Sequence, residues 1–565
     1  MLSILEQSDS FSLLSSEDTA GHRNLQKLQD FYASCMNETR IATLGRQPLL
    51  DEIRTIVNLF PVNGSVFESL QNTADIEASG RSLMNATSGI FPEAFSEALG
   101  HLHKLGLNAF VSLTTEREDG DPGIAFVLYS GRMGLVSKPL YSVATGEAEC
   151  EFSSIYDTGE VAKTLYLLMK REDHHSFSSS GRPIFPSEVP AEWNSTAYKI
   201  VLFENTIKYM TSGSRTASLQ DLSNMTISLN MTLALQNALP DDVRLPSTIS
   251  LHGSVMEYFD AILENNVYSN SPPLQIQNYL VWMVVKQMIR QIDPKYGQFL
   301  RPYNDLQQER WKYCADVVNS TMNKMVAPFF AQQVSSSLET APDMVDSIRS
   351  QLAEAYGRAV GIDNSTKARG LRKLNNSLSF VGVYNVSITA GTSAELKVFY
   401  RNLTIHRNDY FGNRKNYAMW YTANALRGLQ GFVPEDEQDL LPQSSYIRHS
   451  FGRGKIQVPA GSLRPPFFHD DYPEYVTFGS IGAMIAQRYT QMLDFGESDF
   501  PRSNLDFSTC DTSRTCQQRY CYAMLNDNID SEYYRFPDEL FANSVGMQIA
   551  FDAWQKRSHS DKNGT

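Results

Sequence analysis

The chain has 565 residues, with 49 basic against 63 acidic side chains and a formal net charge of −14. At 42% hydrophobic and 20% charged residues it sits near globular averages, which excludes collagen-like, disordered and low-complexity chains. The negative balance excludes a general binder of nucleic acid or anionic membranes, since both need basic surface, and at about 150 residues per domain the length allows two to four domains.

The amino terminus, MLSILEQSDSF, has no basic start and no long apolar run, so no secretory signal is visible in it. Apolar residues three or four apart predict helices over 23–37, 47–60, 247–266, 308–334 and 342–360. The most apolar stretch, 274–289, is interrupted by Lys286 and falls short of a membrane span, so it predicts a buried helix. Turn-rich segments at 118–123, 178–186 and 270–273 punctuate this first part. From about residue 378 the texture changes: 377–390, 395–405 and 455–461 predict short strands, and 476–494 predicts one clear helix. The simplest division is a mainly helical lobe over 1–300 and a mixed α+β lobe over 301–565, an α+β fold overall.

Asn-x-Ser/Thr sequons begin at Asn37, Asn63, Asn85, Asn194, Asn224, Asn230, Asn319, Asn364, Asn375, Asn385, Asn402 and Asn563. Chance alone gives about five, so the excess predicts a glycoprotein of the secretory pathway or extracellular space. Six cysteines (Cys35, Cys150, Cys314, Cys510, Cys516 and Cys521) are too few for a disulfide scaffold but suit a large ectodomain with a few bridges. Their spacing does not give the pairing.

The most informative region is 455–494, a strand, a Pro-rich turn and an amphipathic helix. Gln487 and Gln491 lie four apart on that helix and share a face with Arg488 beside them. In a zincin two histidines at this spacing chelate zinc, and the glutamate between them polarises the attacking water.

The residues PAGSLRPPFF, TFGSIG and AQRYTQ in this region resemble, in order, the strand, turn and H-E-x-x-H helix of the neprilysin and endothelin-converting-enzyme family of zinc metallopeptidases. NLQKLQDFYASCMNETRIATLGRQPLL and QQERWKYCADVVNSTMNKMVAPFF are similar to two earlier segments of that family. The resemblance implies a two-lobed, neprilysin-like ectodomain with a thermolysin-like catalytic-type lobe. It also implies that the chain is the interior of a longer ectodomain, lacking the family's last segment with its substrate-binding arginine and transition-state histidine.

Carried over position by position, the two histidine ligands fall on Gln487 and Gln491, the catalytic glutamate on Arg488 and the third ligand on Glu539, while Asn543 replaces an aspartate that orients a ligand. An amide is a weak zinc ligand and a guanidinium cannot act as a base. A fixed positive charge about 5 Å from Zn²⁺ adds repulsion on the order of 6 kcal/mol at an effective dielectric near 20. No intact catalytic or metal site is therefore expected, nor a bound zinc, and Arg488 is expected to pair with Glu539 in the metal's place. The substrate-gripping strand falls on Tyr446, Ile447, Arg448 and His449, none of which keeps the family's pattern. Cys35 and Cys314 match positions that form a long-range bridge in the family.

The leading expectation is an inactive homologue of a zinc metalloendopeptidase that keeps a cleft for peptides, with no nucleic-acid partner and no membrane span. The alternatives are an active zinc metalloendopeptidase of short peptides and a structural glycoprotein acting through its helical lobe.

Overall fold

The computed structural model describes residues 19–85, 90–107, 109, 111–117, 124–130, 158–170, 189–208, 214–218, 229–245, 248–252, 272–298, 300, 309–334, 340–359, 364–382, 399–427, 440–450, 454–493 and 537–563. They form a mainly helical molecule with two small sheets and three apolar cores.

The first core belongs to the helical half. Helix α1 (Thr19–Met36) precedes α2 (Gln47–Leu59), which buries Leu49, Ile53, Ile56 and Val57, the one face that three- and four-residue spacing produces. Helix α3 (Pro92–Lys104) starts on a proline, whose missing N–H costs nothing at a helix start, and buries Phe95, Ala98, Leu99 and Leu102. Helix α4 (Pro272–Met288) runs through the middle, with every side chain from Tyr279 to Val285 buried, as its unbroken apolar sequence predicts.

A four-stranded sheet in the order β1-β2-β4-β3 belongs to this half: β1 (Val111–Arg117), β2 (Ile124–Ser130), β3 (Ser214–Ser218) and β4 (Thr248–His252). The helix expected over 247–266 is therefore corrected at its start. Thr248–His252 alternates polar and apolar residues with period two, and it pairs parallel to β2 and antiparallel to β3. The rest of that stretch, 253–266, lies outside the described residues.

The second core gathers around the Cys35–Cys314 disulfide, which forms as the family resemblance implies, with Cα atoms 5.7 Å apart. Closing a loop of 279 residues contributes about 5 kcal/mol in the chain-entropy model. Arg310 donates Nε and Nη2 to the Cys35 carbonyl at 2.9 and 2.5 Å, so the bridge and a charge-assisted clamp sit together. The single helical stretch expected over 308–334 is two helices, α5 (Arg310–Thr321) and α6 (Asn323–Val334), broken at Met322, whose backbone (φ −108, ψ 36) is not helical. A second correction falls on 395–405. Its described part, 399–405, holds no strand, because Tyr400 and Leu403 are buried and Phe399 and Tyr400 pack on Trp420.

The third core is built by α7 (Ala341–Arg358), a three-stranded sheet and the last helices. The sheet order is β5-β7-β6, with β5 (Leu378–Gly382) parallel and β6 (Arg448–Ser450) antiparallel to the fully buried β7 (Lys455–Pro459). Of the strand expected over 377–390, the part beyond residue 382 lies outside the described residues. Helix α8 (Tyr410–Arg427) joins the first two cores, giving Phe411 and Leu426 to one and Tyr410 and Trp420 to the other.

A buried carboxylate fastens α8 in place. Glu52 of α2, only 3% exposed, takes His101 Nε2 of α3 at 2.8 Å on one oxygen and Lys415 Nζ of α8 on the other. Burial alone raises the pKa of such a group; the hydrogen bonds from His101 and Lys415 outweigh it, and the Glu52 carboxyl stays below its usual range.

Candidate functional site

The helix expected over 476–494 is three joined segments. A single turn, Glu474–Thr477, leads into a wide π-type turn, Phe478–Gly482, and then into α9 (Ala483–Met492). Ser480 in the wide turn donates to the carbonyls of Phe467 (2.6 Å) and Val476 (2.7 Å), which ties the helix start to the preceding Pro-rich turn. On α9 the buried face is Ile485, Ala486, Tyr489 and Met492. Tyr489 shares a 2.8 Å hydrogen bond with Ser379 of β5, so the helix is pinned in rotation against the sheet. Gln487, Arg488 and Gln491 are half-buried on the next face round.

Helix α10 (Pro537–Asn563) packs along α9. Gly546 makes this possible: a Cβ there would lie 2.6 Å from the Gln487 backbone nitrogen and 2.8 Å from its Cα. Arg557, farther along α10, reaches Glu474 at 2.8 Å and Ser347 at 3.3 Å, which locks the helix to α7 and to the turn before α9. Glu539 lies in the first turn of α10, and its side chain lies outside the described residues, as does any test of its expected pairing with Arg488. Asn543 is exposed.

The structure thus brings Gln487, Arg488 and Gln491 together and sets α10 beside them. Arg488 donates Nη1 to Gln491 Oε1 at 2.8 Å. The amide oxygen that Gln491 would have to offer a metal is turned to a guanidinium, and the central side chain is a permanent cation. This set of donors does not fit zinc. Among the described residues no group of three His, Cys, Asp or Glu side chains is placed to hold a metal ion.

The positions expected for the substrate-gripping strand divide. Tyr446 is exposed and Ile447 is buried, both ahead of the strand, while Arg448 and His449 open β6, one of the two outer strands of its sheet among the described residues. Burial first, then the charges of Arg488 and Arg448, push the His449 imidazole down to a pKa of about 4. It is neutral at pH 7 and reports a positive field between β6 and α9. Of the sequons, Asn63, Asn85, Asn194, Asn230, Asn364, Asn375 and Asn402 are exposed, and Asn37 and Asn319 are half-buried. Asn37 and Asn230 also cap helices, accepting from the backbone N–H of Arg40 and Leu233. Asn224, Asn385 and the side chain of Asn563 lie outside the described residues.

Two features escaped the sequence. Gly546 was one, although the small residues Ala542, Gly546, Ala550 and Ala553 recur at helical spacing and could have marked a close helix contact. The Tyr489–Ser379 bond was the other, and no local pattern announces it.

Family models described as Peptidase family M13 match residues 1–385 and 449–565. The chain belongs to peptidase family M13. This is the neprilysin family of zinc metallopeptidases, so zinc is the metal expected for its members. Neprilysin-11 of Caenorhabditis elegans is 25% identical over 383 residues, 63% of this chain and 44% of that protein. The matches span less than two thirds of the length of these curated relatives: 44% of Neprilysin-11 and 62% of the neprilysin of Oryctolagus cuniculus. Among solved structures, the inhibitor complex of the zinc metalloprotease ZMP1 from Mycobacterium tuberculosis superposes with a TM-score of 0.65 at 18% identity, covering 95% of this chain and 78% of that one. PEPO from Lactobacillus rhamnosis gives 0.66 at 13% identity, covering 97% and 80%. These likenesses carry the fold. They are what the resemblance in the sequence implies.

Proposed function

We propose that this M13 chain is a catalytically inactive homologue of a neprilysin-like zinc metalloendopeptidase, which holds peptides in its cleft without cleaving them. The observation that carries this reading is the hydrogen bond from Arg488 to Gln491. It fills the place of base and ligand with a side chain that neither takes a proton nor tolerates a dication. In this reading Tyr446, Ile447, Arg448 and His449 form the remains of the substrate strand, Glu539 is the one former ligand kept, and the lobes divide near residue 300. The protein works in the secretory pathway or outside the cell, with glycans on the exposed sequons. No described helix is long and apolar enough to cross a membrane.

The deciding experiment measures zinc in the protein purified in zinc-containing buffer, together with hydrolysis of a quenched fluorescent peptide. Substoichiometric zinc and no hydrolysis are expected. Stoichiometric zinc that a chelator removes along with peptidase activity overturns the reading.

A further inference from the structure

We propose that Arg488 is a receptor for a peptide carboxylate, so that the cleft selects peptides by an acidic group. This rests on the reading above and names the ligand class of the same site.

Arg488 is half-buried and makes no ion pair among the described residues. Guanidinium groups removed from bulk water are ordinarily matched by a carboxylate or phosphate, because desolvation leaves the charge under-compensated. One of its five N–H donors is spent on Gln491, and that bond spans one turn of α9, which fixes the plane of the fork before any ligand arrives. A carboxylate matches two parallel donors of the remaining set in geometry and in charge. Its neighbours add to the attraction: Arg448 opens β6, and the combined field is felt at His449, which burial and the two arginines hold neutral. Helix α9 packs on β6 and β7, and the Arg488 charge acts on His449 of β6, so a peptide lying along β6 comes within reach of that charge. In a zincin the metal at this place polarises a peptide carbonyl, a neutral group. Here the positive charge is monovalent, forked and without a base, which suits an anion and leaves the amide bond intact.

The carboxylate has two sources, the free end of a peptide or an Asp or Glu side chain, and one binding experiment separates them. Three fluorescein-labelled hexapeptides of Gly, Ala and Leu are compared by anisotropy on the full chain: one with a free carboxyl end, one with an amide end, and the amide with a central Glu. At least one acidic form is expected to bind about tenfold more tightly than the neutral amide or better, the factor of a charge-assisted hydrogen-bond pair. Preference for the free end assigns the terminal carboxylate; preference for the central Glu assigns the side chain. The preference is expected to vanish in Arg488→Gln and to survive weakened in Arg488→Lys, which keeps the charge and loses the fork. Circular dichroism confirms the fold of each variant, and raised salt weakens only the acidic peptides if Arg488→Gln does not fold. Equal affinity for all three peptides, or a preference that persists in Arg488→Gln, overturns the proposal and leaves the inactive-cleft reading standing. Absence of binding by every peptide overturns both.

Discussion

Gly546 of α10 lies so close to Gln487 of α9 that the two helix backbones are in contact, with room for a hydrogen where any other residue has a carbon. The groups a Cβ would strike are backbone atoms, which cannot rotate away as a side-chain end can. Gly546→Ala is expected to lower stability by about 1 to 3 kcal/mol through overpacking, measured by urea unfolding. Ser544→Ala, at an exposed position of the same helix, should stay within about 0.5 kcal/mol.

Gln487 and Gln491 lie one helical turn apart, the spacing two zinc-binding histidines need, which makes restoration a test of the proposed inactive site. Replacing Gln487→His, Arg488→Glu and Gln491→His together puts two imidazoles one turn apart and removes the fixed cation. The triple variant is expected to take up about one zinc per chain. Either histidine replacement alone, with Arg488 in place, should not bind zinc. Atomic absorption after gel filtration distinguishes them.

His449 gives stability a pH dependence of known sign. Unfolded, its imidazole takes a proton near the usual 6.5; folded, burial and the arginines Arg488 and Arg448 delay that to about 4. Between these values the unfolded chain binds more protons, so stability falls as pH is lowered through the window. His449→Gln should flatten this part of the stability curve relative to the parent. Identical slopes would mean that the imidazole protonates freely in the fold.

Glu52 works in the same sense, at lower pH. Its folded pKa lies below the usual 4.5, so its contribution is full above that value and is lost as pH falls through the folded one. Glu52→Gln keeps the shape and removes the charge between His101 and Lys415. Because both partners are partly exposed, the expected loss is about 2 to 4 kcal/mol, at or below the range for fully buried pairs. A double-mutant cycle with Lys415→Met should recover much of it.

The part of the site that could be read in the sequence is the part encoded by local spacing. Gln487 and Gln491 share a face because four residues make about one helical turn, and that holds whatever surrounds the helix. Pairing is different. Thr248–His252 is a strand because β2 and β3 flank it, and the helical periodicity assigned from 247 onward competed with an alternation only five residues long. The 395–405 segment has strand-like composition, yet in its described part Tyr400 stacks on Trp420 and Leu403 is buried in the same core, with no ladder formed. The closeness of Gly546 to Gln487 is written in a missing side chain, whose meaning depends on which helix lies opposite. Cys35 and Cys314 were paired by family resemblance, since nothing in their spacing singles out one partner from five.

The same Cys35–Cys314 bridge makes the chain a covalent ring of 279 peptide bonds with two tails. One cut by a protease at any peptide bond from 36 to 313 opens that ring without releasing a piece. Such nicked protein should run as one full-mass band on a denaturing gel without reductant and as two bands with it. A sample judged intact on the first gel can thus be broken through its helical half, with both fragments still joined in the second core, where α1 meets α5.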